Sequence, residues 1–358
     1  MKELVFFANT LEIGGLERAL VTLLNRLAAE EGLSLTLILE EKRGSLLAEL
    51  DGRVKLREYR TSHCRFAPLR KLINLARWRL WALKNRDRYD FACAYCTYST
   101  MGSRLARAVS ANNCLYVHND YTEIYPKSED FYAYFRRLHA ENFRRLVFVS
   151  NESRARFDGR FPALADRTSV INNLVESEQI RKLSRKPCPF TRREGETVLL
   201  FLGRLDEGQK RLSRLLEAFS LAREKRHDLR LLLVGDGPDR ALCETLIQNY
   251  DLSDCVDMPG AQANPYPWLA AADCLVLASD YEGFPVVYYE ALALGRDIIT
   301  TVPVSDELLD MREHAIIAQK TPGSLAEAMA AYVPSEQAPL DMEAVNRARI
   351  REFMQFFR

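Results

Sequence analysis

Short apolar runs alternate with longer amphipathic stretches along the whole chain, and this alternation restricts the fold more than any other feature. Strand patterns fall at 3–8, 34–39, 91–95, 114–117, 146–149, 168–171, 197–202, 230–234, 255–258, 274–277 and 297–301. Helical patterns lie between them at 15–30, 67–85, 100–110, 131–143, 211–226, 238–250 and 285–294. Strands and helices taking turns define a parallel α/β sheet. The series restarts at Thr197-Val198-Leu199-Leu200-Phe201-Leu202. At 358 residues the chain is long enough for two such domains. The expected boundaries are 1–175 and 176–342, with 172–195 read as a linker and domain entry and a C-terminal helix at 343–358 packing back on the first domain. Two doubly wound domains facing each other across a cleft are expected, with ligands beyond the carboxyl ends of the strands.

Composition removes several classes. Fifty Lys and Arg against 49 Asp and Glu leave a net charge of +1, without the basic excess of a nucleic-acid binder. A 47% hydrophobic content excludes disorder as the main theme, and no apolar run reaches the length of a membrane span. Met1-Lys2-Glu3-Leu4-Val5-Phe6-Phe7-Ala8 turns polar too quickly for a signal peptide and reads as a buried strand. Eight scattered cysteines suit reduced thiols in a cytosolic enzyme. Cys93-Ala94-Tyr95-Cys96 lacks two further ligands at zinc spacing and reads as buried thiols. The total hides an asymmetry. Residues 1–175 hold 28 basic and 20 acidic residues, a net of +8, so this half should face anionic partners.

Four strand-to-helix junctions carry the chemistry. After the first strand, Gly14-Gly15 opens a helix, where bare backbone N–H groups can approach an anion; a plain tight turn is the alternative. After the first strand of the second domain, Gly203-Arg204 and Lys210 place two cations suited to neighbouring phosphates. Val234-Gly235-Asp236-Gly237-Pro238-Asp239-Arg240 has Arg240 where a dinucleotide fingerprint needs its third glycine, so it reads as a structural turn. In Glu282-Gly283-Phe284-Pro285-Val286-Val287-Tyr288-Tyr289-Glu290, Pro285 suits the first position of a helix, and two carboxylates flank that helix's start. They can accept hydrogen bonds from two sugars while the helix opening holds phosphate. A glycosidase pair must straddle one bond, which this spacing does not suggest.

Taken in order with Gly260-Ala261, Asn264-Pro265-Tyr266 and Ala272-Asp273, these motifs resemble the retaining GT-B glycosyltransferases of the family-4 type. The resemblance implies a fold of two facing Rossmann-like domains and transfer of a sugar from a UDP- or GDP-sugar with retention. The implied acceptor is a glycan or lipid-linked chain in bacterial capsule, exopolysaccharide or lipopolysaccharide assembly. It implies that Glu290 holds the ribose and that Glu282, with the backbone of Gly283 and Phe284, meets the donor sugar. Arg204 and Lys210 would neutralise the diphosphate. Gly14 and Gly15 would close on it, Gly203 and Pro285 would line the donor site, and Gly260 and Ala261 would lie against the base. His118, ending a first-domain strand, is similar to a family histidine beside the reacting carbon; a structural strand-end histidine is the alternative. No Asp-x-Asp occurs, and the resemblance implies no metal and no cofactor. Gly295-Arg296-Asp297 and the 302–307 stretch depart from the family pattern on the sugar side. A nucleotide-sugar epimerase and a non-catalytic sugar-nucleotide-binding module are the rival readings.

Residues 65–88 contain eight basic residues and one acid, Asp87. At 3.6 residues per turn, Leu69, Leu72, Ile73, Ala76, Leu80 and Leu83 form one stripe, expected to face the core. Trp78 and Trp81 are then expected outward with Arg70, Lys71 and Arg77, as a membrane face on an anionic bilayer. That places the protein in the cytoplasm, peripheral on the inner face of the cytoplasmic membrane.

Overall fold

In the computed structural model, which describes every residue except 13, 60, 62–64, 304–312, 336 and 358, the chain divides into two compact units. The first comprises Met1–Leu174 and Asn346–Arg358, the second Val175–Val345.

The first unit runs β1 (Lys2–Ala8), α1 (Gly15–Ala28), β2 (Leu33–Leu39), β3 (Lys55–Glu58), α2 (Ala67–Asn85), β4 (Phe91–Ala94), α3 (Thr100–Val109), β5 (Asn113–Val117), α4 (Tyr121–Ile124), α5 (Ser128–Leu138), β6 (Arg145–Phe148), α6 (Asn151–Arg160) and β7 (Thr168–Val170). Its seven strands pair in parallel in the order β3-β2-β1-β4-β5-β6-β7. The order reverses direction between β1 and β4, so the loops after these two strands open at the sheet's switch point. Ser99, Asp120 and Ser150 cap α3, α4 and α6, each side chain accepting from a backbone N–H two or three residues on.

The second unit runs α7 (Ser177–Ser184), β8 (Thr197–Leu202), α8 (Glu207–Lys210), α9 (Leu212–Lys225), β9 (Leu229–Val234), α10 (Arg240–Asn249), β10 (Val256–Gly260), α11 (Tyr266–Ala271), β11 (Cys274–Leu277), α12 (Val286–Ala293), β12 (Asp297–Thr300), β13 (Ile316–Ile317) and α13 (Pro322–Ala331). Its parallel sheet is ordered β10-β9-β8-β11-β12-β13, with the switch point between β8 and β11. Helix α14 (Glu343–Met354) leaves this unit, and its Phe353 stacks on Phe6 and meets Phe91 edge-on in the first unit's core.

Three expectations are corrected. The 172–195 stretch is not all linker: it contains α7, which packs against α11 and α12 and buries Ile180. Pro285 stands at the cap of α12 rather than its first position, its carbonyl accepting from Tyr288 N at 2.9 Å.

The largest correction is the orientation of α2. Trp78 and Trp81 do not face outward; both pack against the first unit's core. The Trp81 ring lies edge-on to Phe7 at 6.2 Å and to Tyr59 at 5.7 Å, and Trp78 Nε1 is buried without a partner among the described residues. The leucine stripe faces out, with Leu72, Leu80 and Leu83 exposed at 63%, 69% and 69%. A tryptophan ring buries more apolar area than a leucine, and Asn85, buried on the tryptophan side, donates to the Trp81 carbonyl at 2.8 Å. The larger rings therefore win the inner face. The strands β3 and β13 have no counterpart among the sequence expectations, because Lys55-Leu56-Arg57-Glu58 is polar and β13 is only two residues long.

Candidate functional site

At the second unit's switch point, the loops after β8 and β11 bring together Lys210 and Glu282, 72 positions apart. Lys210, ending α8, donates to Glu282 Oε1 at 2.7 Å, and both side chains are largely withdrawn from solvent, at 15% and 6% exposure. Ser279 Oγ donates to the same oxygen at 2.6 Å, and Gln209 Nε2 reaches Oε2 at 3.4 Å. The two loops are strapped together behind this pair. Asp280 N donates to the Gln209 carbonyl at 3.0 Å, and Arg214 bonds both Asp280 Oδ1 and the Ala278 carbonyl at 2.7 Å. Arg211, in the left-handed region at φ 51°, adds its guanidinium to Asp280. Burial pushes the Asp280 carboxyl up, but hydrogen bonds from Arg211 and Arg214 prevail and hold it below its ordinary value.

The floor of this site is backbone packed on backbone. Gly235 has φ 144°, and a Cβ there would stand 1.8 Å from the Gly203 carbonyl oxygen; one at Gly237 would stand 2.3 Å from that of Leu205. The Gly-Asp-Gly motif is thus a structural turn clamped under the 203–205 loop, with Leu205 N donating to the Asp236 carbonyl at 3.0 Å. Arg204 differs from Lys210: it is 67% exposed and pairs with Asp206 at 2.6 Å.

Glu290 is buried on α12, where it accepts from the Tyr266 hydroxyl at 3.0 Å. Phe284 stacks on Tyr289 at 4.6 Å, fixing the turn that contains Gly283. Gly260 ends β10 at φ 80°, and its carbonyl accepts from Gly235 N at 3.1 Å; Ala261 follows it, exposed. The Arg296-Asp297 departure proves structural: Asp297 accepts from Tyr332 at 2.7 Å and Ser335 at 2.9 Å, tying down the start of β12. Most of the 302–307 departure lies outside the described residues.

In the first unit, Gly14 caps α1 in extended backbone, and a Cβ on it would come 2.2 Å from Glu17 Oε2. Gly15 has open space around it. Glu17 also accepts from the Tyr98 hydroxyl, in the loop after β4, at 2.8 Å. Gly44, at φ 121°, lets its backbone cross Leu11, whose N–H and carbonyl bond Arg43 and Leu46 at 2.9 and 3.1 Å.

His118 follows β5, its ring stacked on Tyr116 at 4.7 Å and tilted against Tyr95 at 4.5 Å. Both ring nitrogens are buried without a hydrogen-bond partner among the described residues. Burial pulls its pKa down to about 3, so the ring is neutral at pH 7. The Cys93 and Cys96 thiols are also buried, Cys96 pushed up to about 12 by that burial. Among the described residues no cluster of three or more His, Cys, Asp or Glu is arranged to hold a metal ion.

Sequence reasoning missed the supports: Gln209, Ser279, Asp280, Arg211, Arg214 and Gly44. Only Arg211 and Arg214 gave a signal, as basic residues beside Lys210. The expected Arg70, Lys71 and Arg77 are exposed on α2, without the tryptophans they were grouped with.

A doubly wound sheet with a lysine–glutamate pair at its switch point belongs to the class of α/β proteins that take their ligands beyond the carboxyl ends of the strands. The chain belongs to the group 1 and family 4 glycosyltransferases: residues 13–179 match the family described as Glycosyltransferase Family 4, and 196–334 that described as Glycosyl transferases group 1. The lipopolysaccharide 1,6-galactosyltransferase of Escherichia coli (strain K12) is 34% identical over 145 residues, 38% of this chain and only 37% of that enzyme. A Campylobacter jejuni α-1,4-N-acetyl-D-galactosaminyltransferase, named for a PP-undecaprenol-linked acceptor, is 24% identical over 82% of this chain and 77% of its own. The Anabaena protein Alr3699/HepE, solved with UDP and glucose, has the same fold at a TM-score of 0.76, with 17% identity over 99% of this chain and all of that one. The architecture is the GT-B fold.

Proposed function

We propose that the protein transfers a sugar from a UDP- or GDP-sugar, with retained anomeric configuration, to a glycan or lipid-linked acceptor in bacterial surface-polysaccharide assembly. The observation that carries this reading is the Lys210–Glu282 pair, held at the second unit's switch point beside the opening of α12. The bond from the sugar's anomeric carbon to the diphosphate breaks, and an acceptor oxygen takes its place. Negative charge develops on the departing diphosphate, where Lys210, assisted by Arg204, stabilises it. With a donor bound, Glu282 accepts from sugar hydroxyls and Glu290 from the ribose. Gly203, Gly260, Ala261, Gly283, Phe284 and Pro285 line the same site. Taken by itself, the first unit offers the Gly14 and Gly15 backbone N–H groups to an anion, and neutral His118 would give a sugar hydroxyl a hydrogen bond without adding charge. The second unit is then the donor-binding domain and the first the acceptor-side domain.

The UDP and glucose in the Anabaena neighbour favour a uridine nucleotide, and the carrier named for the Campylobacter relative favours a lipid-linked acceptor at the inner face of the membrane. Cations and a helix opening suffice for the diphosphate, so turnover is expected to survive EDTA; collapse with chelator and recovery with magnesium would refute this. The deciding experiment is calorimetry with UDP and GDP, followed by incubation with nucleotide sugars alone. Slow hydrolysis of the donor supports a transferase, an altered sugar an epimerase, and binding without turnover a module.

A further inference from the structure

Six of the eleven large apolar side chains exposed among the described residues fall between Phe66 and Leu83, on or just before α2. At 100° per residue, Leu69, Leu72, Ala76, Leu80 and Leu83 occupy an arc of about 80°. The tryptophans hold the opposite face against the core, so α2 cannot turn its leucines inward. Cations border the stripe along its length: Arg79 on one side, Lys84 and Arg77 on the other, all exposed. Among the described residues no helix is long and apolar enough to cross a membrane.

We propose that the outward leucine face of α2 is a docking surface for an anionic lipid bilayer, with α2 lying flat in the headgroup region, leucines toward the acyl chains and its bordering cations on lipid phosphates. An exposed apolar stripe with cations on both borders complements a surface that is apolar below and negative above. A second copy fits poorly, because an isologous contact sets the same cationic helix against itself. This inference goes beyond the transferase reading and does not rest on it. It replaces the tryptophan-based membrane face, since both rings are committed to the core.

The test uses the full chain without donor or acceptor. Wild-type protein should pellet with mixed phosphatidylglycerol–phosphatidylcholine vesicles at low salt, not with phosphatidylcholine alone. High salt should release part of it, as the screening length shrinks from about 10 Å at 0.1 M to about 3 Å at 1 M. The triple variant Leu72→Gln, Leu80→Gln, Leu83→Gln should partition about a hundredfold less, with an unchanged circular dichroism spectrum. In a Leu80→Trp variant the added emission should shift to the blue on anionic vesicles, while emission from Trp78 and Trp81 in the wild type stays fixed. Wild-type protein left in the supernatant, equal pelleting of the triple variant, or a vesicle-induced shift in wild-type emission overturns the proposal. So does a lipid-free dimer that the triple variant abolishes, which would make the face a self-interface.

Discussion

The two units use one sheet plan and furnish its switch point in opposite ways. In the second unit the loops after β8 and β11 carry charge against charge: Lys210 on Glu282, Arg211 and Arg214 on Asp280. In the first unit the loops after β1 and β4 hold Glu17 with a neutral tyrosine, and the next strand ends in a stack of Tyr95, Tyr116 and a neutral histidine. A preorganised charge pair suits a ligand whose own charge changes during reaction, because its dipoles are already in place. Aromatic rings and an uncharged imidazole suit a neutral polyhydroxylated ligand. The same topology thus yields one electrostatic end and one packing end.

The strongest challenge to that contrast is Lys210→Ala, expected to lower kcat/KM for sugar transfer by about two to three orders of magnitude, the scale for one charge-stabilising group. Near-normal turnover would remove the electrostatic role of the second unit. The supporting backbone is nearly as sensitive. Gly235→Ala forces a Cβ to within 1.8 Å of the Gly203 carbonyl at φ 144° and should cost about 3 kcal/mol in urea unfolding. A neutral effect would mean that the loops are not clamped as described.

The first unit should respond to acid instead. His118 has a folded pKa of about 3 against an ordinary 6.5, so the unfolded chain binds the proton that the folded chain refuses. Stability should be intact above pH 6.5 and fall by about 1.4 kcal/mol per pH unit from there towards pH 3. At pH 5 the loss is about 2 kcal/mol, and His118→Gln should remove it. Identical acid profiles for the two proteins would contradict the buried neutral ring.

Smaller changes separate the two glutamates. Glu290→Gln should weaken UDP binding about tenfold, since an amide accepts less strongly than a carboxylate. Glu282→Gln should leave that affinity nearly intact and depress transfer. Calorimetry showing equal losses would merge the two roles. The smallest expected effect is Arg204→Ala, no more than about tenfold in kcat/KM, because its exposed charge is already shared with Asp206 and screened by solvent.

Much of this was legible beforehand where the physics is local. Period-two and period-3.6 patterning located eleven of the strands and seven of the helices between them, and glycines and prolines marked the loops that end β8 and β11. Lys210, Glu282 and Glu290 could be selected because each lies at such a junction. Their supports could not. Gln209 and Asp280 carry no signal of their own until β8 and β11 pair and bring them within hydrogen-bond reach. Gly44 gave no signal either, because what it permits is an approach by Leu11, 33 residues away.

The helix α2 separates what sequence determines from what only tertiary structure decides. Its sequence establishes that 67–85 is helical and has two apolar faces, one of leucines and one of tryptophans, with cations between. It does not establish which face turns inward, because periodicity gives relative angles and no absolute direction. That choice was made by Phe7, on β1, and Tyr59, just past the end of β3, which receive the Trp81 ring. Burying the larger rings left the leucines outside, and a surface that the sequence assigned to the core became the most apolar face the first unit presents to solvent.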